Sequence, residues 1–144
     1  MTRWRSAKRN RGNREKELIG LEALENKIKN AFIEVNINLS RIKKVKENYE
    51  LQKARVEREK IKGYESLMEK YVDRIEECDR AVKELKERND DLKASFEEII
   101  VLKTSLRKEE VIDMEGRIAE IKGRLDEIMS RVEIYEDFPP DENR

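Results

Sequence analysis

Residues 75–99, IEECDRAVKELKERNDDLKASFEEI, contain the pattern that decides the fold of this chain. Apolar residues recur there at alternating steps of three and four. The same spacing extends over 64–106 and resumes over 111–135. A repeat of this kind, sustained over three or more heptads, is typical of a coiled coil. It predicts an all-α protein built of long helices and argues against a disordered chain.

The composition agrees with helices that bury only a narrow stripe. Of 144 residues, 46% are charged and 37% are hydrophobic, whereas a globular domain carries about 25% charged residues. Basic and acidic residues balance at 33 each, but basic residues dominate 1–16 and acidic residues the C-terminal end. We therefore expect an elongated coiled coil with a basic N-terminus and an acidic C-terminus.

Five-residue steps interrupt the repeat twice, which predicts register breaks near residues 57–63 and 107–110. The first break lies beside Gly63 and precedes a capping-box sequence, SLME at 66–69. It predicts a hinge or the corner of a helical hairpin. The second break contains neither Gly nor Pro and predicts a skip within a continuing helix. One long, slightly irregular helix is the alternative at both places.

Segment boundaries follow from these breaks and from the two ends of the chain. Gly12 and its neighbouring Asn residues predict a poor helix at the N-terminus, and Pro139 ends the last helix. The predicted segments are a flexible basic arm at 1–15, a first helical segment at 16–60, a heptad coiled-coil segment at 61–106, a second one at 107–137 and an acidic tail at 138–144.

Asn89 occupies a position where the repeat requires an apolar residue. Because the spacing is unbroken on both sides, we expect Asn89 to face a partner helix, where an unpaired amide penalises wrong alignments. A turn at 88–91, RNDD, is the alternative. The predicted partner-binding seam consists of Tyr71, Ile75, Val82, Leu85, Asn89, Leu92, Phe96, Ile99, Ile118, Ile121, Leu125 and Ile128.

Charges beside the seam argue against the simplest assembly. A parallel in-register homodimer would place five repulsive flanking pairs against two attractive pairs. Apolar residues outside the seam, such as Leu67 and Leu102, widen the stripe and suit three or four packed helices. The sequence predicts that the seam meets different helices: a hetero-oligomeric partner, the chain's own folded-back helix, or both.

The basic N-terminal arm is the one segment with a different chemistry. It has three predicted uses: binding DNA or RNA with the Trp stacked on a base, binding an acidic protein surface, or acting as a short nuclear import signal at 8–11, KRNR. A solubilising tail is the simpler interpretation. The candidate polyanion-binding residues are Arg3, Trp4, Arg5, Lys8, Arg9, Arg11 and Arg14.

Residues with catalytic chemistry are few. The chain has no His and one Cys, Cys78, at a seam position that predicts burial. It has no glycine-rich phosphate loop, and its longest apolar run is far shorter than the roughly 18 residues of a membrane span. We predict a protein that is not an enzyme, with no cofactor, metal or membrane partner, in a reducing intracellular compartment, the nucleus slightly favoured over the cytoplasm.

The leading functional prediction is a structural subunit that assembles with other helical proteins in a multi-subunit complex. The main alternative is a nucleic-acid-associated helical factor, bound to RNA, ribosomes or chromatin, that uses the basic arm. A chaperone-like hairpin that clasps client proteins is a third. It requires a true reversal of the chain at 57–66.

Overall fold

The computed structural model describes the backbone of residues 2–60, 62–110 and 113–139, and the side chains of these residues from Arg14 onward. Three helices make up the described chain: α1 (Thr2–Glu59), α2 (Tyr64–Arg107) and α3 (Met114–Glu133). None of the described residues lies in a strand. The predicted all-α fold is confirmed.

The first register break is the corner of a hairpin, because α1 and α2 pack against each other. Lys60 (φ 47°) and Gly63 (φ 79°) both adopt the left-handed conformation that ends α1. The Lys60 N–H still donates to the Val56 carbonyl at 2.9 Å. Because α2 begins at Tyr64, the capping box predicted at 66–69 is wrong: these residues lie inside the first turns of α2.

The second register break also separates two helices, so the predicted skip within a continuing helix is wrong. Glu109 adopts a left-handed φ of 59°. Its N–H donates to the Leu106 carbonyl at 3.3 Å, and the next N–H donates to the Ser105 carbonyl at 3.1 Å, which is a Schellman motif. Asp113 then caps α3, its Oδ1 accepting from the Gly116 N–H at 3.1 Å. Side-chain and turn hydrogen bonds replace the Gly or Pro that we expected a helix end to need.

The N-terminal segment also differs from its prediction, because α1 begins at Thr2. Residues 2–15, predicted to be a poor helix, have a helical backbone. Gly12 costs about 1 kcal/mol relative to Ala in a helix interior, while the Arg, Lys and Ala residues around it favour the helix. The side chains of residues 1–13 lie outside the described residues.

The described chain divides into two compact units, each built from segments of all three helices. Unit 1 comprises Met1–Phe32 and Asp90–Met129. Its α1 and α3 segments meet at the Lys27–Asp126 ion pair, 3.6 Å apart, and its α2 and α3 segments meet at the Glu98–Arg124 pair, 2.5 Å apart. The core of unit 1 is mainly aliphatic and also buries two small hydroxyls, those of Ser95 and Ser105. Its buried aliphatic residues include Leu21, Leu24, Ile28, Leu92, Ile99, Leu102, Ile121, Leu125 and Ile128.

Unit 2 comprises Ile33–Asn89 and Ser130–Arg144. Its α1 and α2 segments meet at the Lys46–Asp79 ion pair, 2.6 Å apart, and at the rings of Tyr49 and Tyr71, whose centroids are 6.2 Å apart. The core of unit 2 mixes aliphatic, aromatic and polar side chains. Its buried residues include Val35, Asn38, Leu39, Ile42, Tyr49, Val56, Cys78, Ala81, Leu85 and Val132.

Candidate interaction surface

The chain's own helices bury half of the predicted seam fully and the other half in part. Six of its residues are buried within one chain and six are half-buried. The buried ones are Leu85, Leu92, Ile99, Ile121, Leu125 and Ile128, and the half-buried ones are Tyr71, Ile75, Val82, Asn89, Phe96 and Ile118. Within the described chain, the seam therefore serves the fold. Its use by a partner stays a prediction.

The half-buried positions on α2 belong to one half of the predicted repeat. The half that runs in steps of seven from Cys78 to Leu106 is buried, but the half that contains Val82 and Phe96 is only half-buried. Its place is taken by Ala81, Ser95 and Leu102. The buried face of α2 is therefore rotated from the predicted seam toward these residues. In unit 1, α2 contacts both α1 and α3, and one helix between two neighbours buries a wider stripe than a two-helix seam does.

Asn89 lies at the edge of this buried face and not in a turn, because α2 is continuous from Tyr64 to Arg107. Its Oδ1 is buried, and no described residue donates a hydrogen bond to it. A buried acceptor without a donor costs about 1–3 kcal/mol. This cost is consistent with the predicted role of Asn89 as a device that sacrifices stability for alignment. No helix that it would align is identified by these contacts.

A group of polar contacts closes unit 2 at the end of α3. The Arg41 guanidinium donates hydrogen bonds to the Tyr135 and Phe138 carbonyls and, at 3.3 Å, to Asn38 Oδ1. The Tyr135 hydroxyl donates to a Glu84 carboxylate oxygen. Burial, together with this hydrogen bond, raises the pKa of Tyr135 to about 12. Phe138 packs edge-on against Tyr135, with ring centroids 5.9 Å apart, so its ring belongs to this closure.

Charged side chains in unit 1 pair between helices. Lys103, which lies one heptad after Phe96 of the predicted seam, donates to the Glu25 carboxylate. The hydrogen bonds from Lys103 and then Lys29 hold the pKa of Glu25 below its ordinary value. Lys103 thus enters the partly buried region only together with a counter-charge, as a low-dielectric environment requires.

Cys78 is fully buried in unit 2, which confirms the burial predicted from its spacing. Burial, and then the neighbouring Asp79 and Glu77 carboxylates, raise the pKa of the Cys78 thiol. A protonated, buried thiol is a poor nucleophile. Among the side chains described, no cluster of three or more Cys, Asp or Glu residues has the arrangement of a metal site.

The polyanion-binding prediction is outside the reach of the structure at six of its seven residues, which precede Arg14. Arg14 itself lies 2.6 Å from the Glu109 carboxylate in unit 1. Its guanidinium is thus already paired with an acidic group that follows α2. The proposed nucleic-acid contact stays a prediction for Arg3, Trp4, Arg5, Lys8, Arg9 and Arg11.

A second stripe of residues lies on the exposed side of α1 in unit 2. Its members recur at steps of four and three, like those of the buried seam, yet every one of them is exposed. Ile33, Ile37 and Leu51 are 57%, 62% and 71% exposed. We call this set the outer stripe: Ile33, Ile37, Ser40, Lys44, Glu47, Leu51 and Ala54.

The outer stripe was missed by a search for apolar seams, because small and charged residues separate its apolar ones. The available signal was a scarcity of charge: five of its seven members are uncharged in a chain that is 46% charged. Residues on the outer face of a surface helix are ordinarily charged or polar. Ile33 and Ile37, one helical turn apart, therefore form an exposed apolar surface on this face.

Within the residues described, no helix is long and apolar enough to cross a bilayer. No protein-family model, curated protein or solved structure matches the chain. The exposed face of α1 and its side chains therefore supply the observations on which a functional proposal can rest.

Proposed function

We propose that this protein is a non-enzymatic structural subunit that assembles with other helical proteins through the exposed face of α1. The observation that carries the proposal is the outer stripe. It repeats the 4,3 spacing by which helices pack, and it exposes three large aliphatic side chains. Association would remove this apolar surface from water, which is favourable by about 25 cal/mol of free energy for each Å² buried.

The predicted seam supports the same proposal in a different way. Residues such as Leu85, Leu92 and Leu125 are buried by the chain's own helices, so they form the body that holds α1 in place. A preformed helix pays less conformational entropy on binding than a segment that folds at that moment. We therefore assign the folding role to the seam and the binding role to the outer stripe.

The cellular compartment is a further part of the proposal. The fully buried Cys78 is the only cysteine, which suits a reducing intracellular compartment. The nucleus, and the binding of DNA or RNA by the basic arm, stay predictions. So does the chaperone-like alternative, although the reversal that it requires at 57–66 is present.

Lysine-directed cross-linking in cells that make the full chain tests the proposal, because Lys43 and Lys44 lie on or beside the outer stripe. We expect mass spectrometry to detect cross-links from these lysines to helical segments of a partner. The double variant Ile33→Glu/Ile37→Glu should lose them, since it places two carboxylates in the apolar contact.

The matched control is the double variant Ile100→Glu/Val101→Glu, which also introduces two carboxylates at exposed apolar positions, here in unit 1. It should leave the cross-links unchanged. Circular dichroism melting of all variants establishes that the fold is retained, because each altered side chain is exposed. Cross-links that survive in the Ile33→Glu/Ile37→Glu variant would refute assembly through the outer stripe.

A further inference from the structure

We propose that two copies of this chain pair antiparallel through the outer stripe, with Lys44 of each copy opposite Glu47 of the other. The inference rests on the proposed function and specifies its partner at this face. Other helical subunits would then join a dimer. The charge distribution along α1 in unit 2 supplies the argument.

The two charged members of the outer stripe define the alignment. Lys44 and Glu47 lie at its centre, both are exposed, and neither forms an ion pair with any described residue. A two-fold axis that crosses α1 between these residues places each lysine opposite the glutamate of the second copy. The symmetric dimer therefore contains two Lys44–Glu47 pairs, one on each side of the two-fold axis.

The apolar members fall into contact in the same alignment. With Lys44 opposite Glu47, Ser40 faces Leu51 and Ile37 faces Ala54. At each end of the pairing, Ile33 meets the aliphatic stem of Arg58, which is also exposed. Large side chains therefore face small or flexible ones, which permits close approach of two helices.

The residues beside the stripe test the alignment independently. In antiparallel helices, equivalent flanking positions of the two chains face each other. Lys43 then faces Glu50, and Glu34 faces Arg55, each twice in the dimer. Two further flanking pairs, Arg41 with Asn48 and Asn36 with Glu57, are neutral. No like charges oppose each other along residues 33–58, which are described throughout.

Three of the flanking residues already have neighbours within the chain. The Arg41 guanidinium is held by the closure at the end of α3. Glu50 lies 3.8 Å from Lys46, and Arg55 lies 3.4 Å from Glu59, in both cases one turn away on the exposed surface. Such surface pairs are weak and exchange readily. The flanking pairs therefore favour one alignment over others and contribute little affinity.

A parallel in-register dimer through the same stripe is disfavoured by the same residues. It would place Lys44 opposite Lys44 and Glu47 opposite Glu47. Like charges in direct opposition weaken an interface. The charges on the outer stripe thus favour antiparallel pairing, whereas the charges beside the predicted seam only disfavour a parallel pair.

Charge reversal combined with sedimentation equilibrium tests the inference on the purified full chain, from low to high micromolar concentration. We expect the wild-type mass to rise from 17.2 kDa toward twice that value. Lys44→Glu and Glu47→Lys should each raise the dimer dissociation constant roughly tenfold, because each creates two like-charge contacts. The double variant Lys44→Glu/Glu47→Lys should restore the wild-type constant.

Lys86→Glu is the control, since it makes the same charge change at an exposed position of α2 in unit 2. It should dimerise like the wild-type chain. A wild-type chain that stays monomeric overturns the inference. So does a dimer that ignores the charge reversals, or one that the double variant fails to restore.

The two proposals fail in different ways. A purified chain that is monomeric, while Lys44 still cross-links in cells to a different helical protein, refutes only the second copy as partner. A chain without cross-links at the outer stripe in cells, and without dimers in solution, refutes both.

Discussion

Unit 1 and unit 2 achieve similar helix packing with different interiors. In unit 1, aliphatic side chains such as Ile28 are fully buried, the buried polar groups described there are the small hydroxyls of Ser95 and Ser105, and ion pairs lie at the edges. In unit 2, Asn38 is buried and the end of α3 is fixed by the Arg41 guanidinium. The first arrangement buries polar atoms only as small hydroxyls, and the second buries an amide that a guanidinium contacts.

The difference shows how one kind of helix packing can serve two purposes. Apolar contacts are non-directional and supply stability, whereas buried hydrogen bonds supply little net stability and strongly penalise misalignment. Unit 2 holds the part of α1 that presents the outer stripe. A fixed orientation of α1 would serve the proposed binding face, because such a face must be presented in one direction.

The largest expected effect compares the same substitution in the two units. Ile28 and Ile42 are both fully buried, both on α1, and two heptads apart. Replacement by Ala should cost about 2–5 kcal/mol of unfolding free energy. We expect Ile28→Ala near the upper limit and Ile42→Ala near the lower one, because the buried amide of Asn38, one turn before Ile42, can hydrogen-bond a water in the vacated space.

Urea denaturation followed by circular dichroism measures both losses in one experiment. Equal losses would show that the polar contacts of unit 2 do not soften its core. A larger loss for Ile42→Ala would reverse the comparison.

Asn89→Leu should give the next largest effect and should be stabilising. The substitution removes the buried Oδ1 that no described donor contacts and adds apolar surface, so we expect a gain of about 1–3 kcal/mol. Asn38→Leu is the matched control. Its amide oxygen accepts from Arg41, so leucine there would break a satisfied contact and destabilise the chain.

Thermal and urea unfolding of the two leucine variants give the sign of each change directly. A loss of stability in Asn89→Leu would mean that the Asn89 amide has a partner in solution. A gain accompanied by additional oligomeric species would support its predicted role in alignment.

Tyr135→Phe removes the hydrogen bond to Glu84 and should cost about 1 kcal/mol near neutral pH. The tyrosine also creates a pH dependence, because its pKa is about 12 when folded and about 10 when unfolded. A raised pKa means that the folded state holds the proton more tightly. Its contribution is complete below pH 10 and is lost as pH rises from 10 to 12.

The measurement is the difference in unfolding free energy between wild type and Tyr135→Phe across this range, since lysines and other tyrosines titrate in both proteins. Allowing for partial solvent exposure, the difference should fall by roughly 1 kcal/mol, to near zero, between pH 10 and 12. A difference that is constant with pH would show that Tyr135 ionises normally in the folded chain.

The sequence predicted the extent of α2 more accurately than its buried face, and the reason is physical. The predicted segment 61–106 nearly coincides with the observed helix, Tyr64–Arg107. On α2, the repeat predicted burial at Val82 and Phe96, but Ala81 and Ser95 are buried more deeply. Periodicity identifies a helix and an approximate face, but it does not count the neighbouring helices, which determine where the centre of that face lies.

The second helix boundary escaped prediction for a local reason. Glu109 adopts a left-handed conformation without being Gly or Asn, and the Asp113 cap follows four residues later. Neither residue type alone signals a helix end in a charge-rich chain, where Glu and Asp occur throughout. The outer stripe was likewise readable only once the exposed face of α1 was known.

The smallest expected effect compares the two helix ends at which a residue other than Gly is left-handed. Lys60 follows α1 in unit 2 and Glu109 follows α2 in unit 1. Lys60→Gly should stabilise the chain by about 0.5–1 kcal/mol, because glycine adopts this conformation without steric cost. Glu109→Gly should raise the unfolding free energy less, because it also loses the ion pair with Arg14.

Equal stabilisation of the two variants in thermal unfolding would show that this pair contributes nothing. Destabilisation by Lys60→Gly would show that the Lys60 conformation is unstrained. The difference between the two variants therefore measures what the Arg14–Glu109 pair adds to unit 1, against a turn in unit 2 whose left-handed lysine forms no ion pair with any described residue.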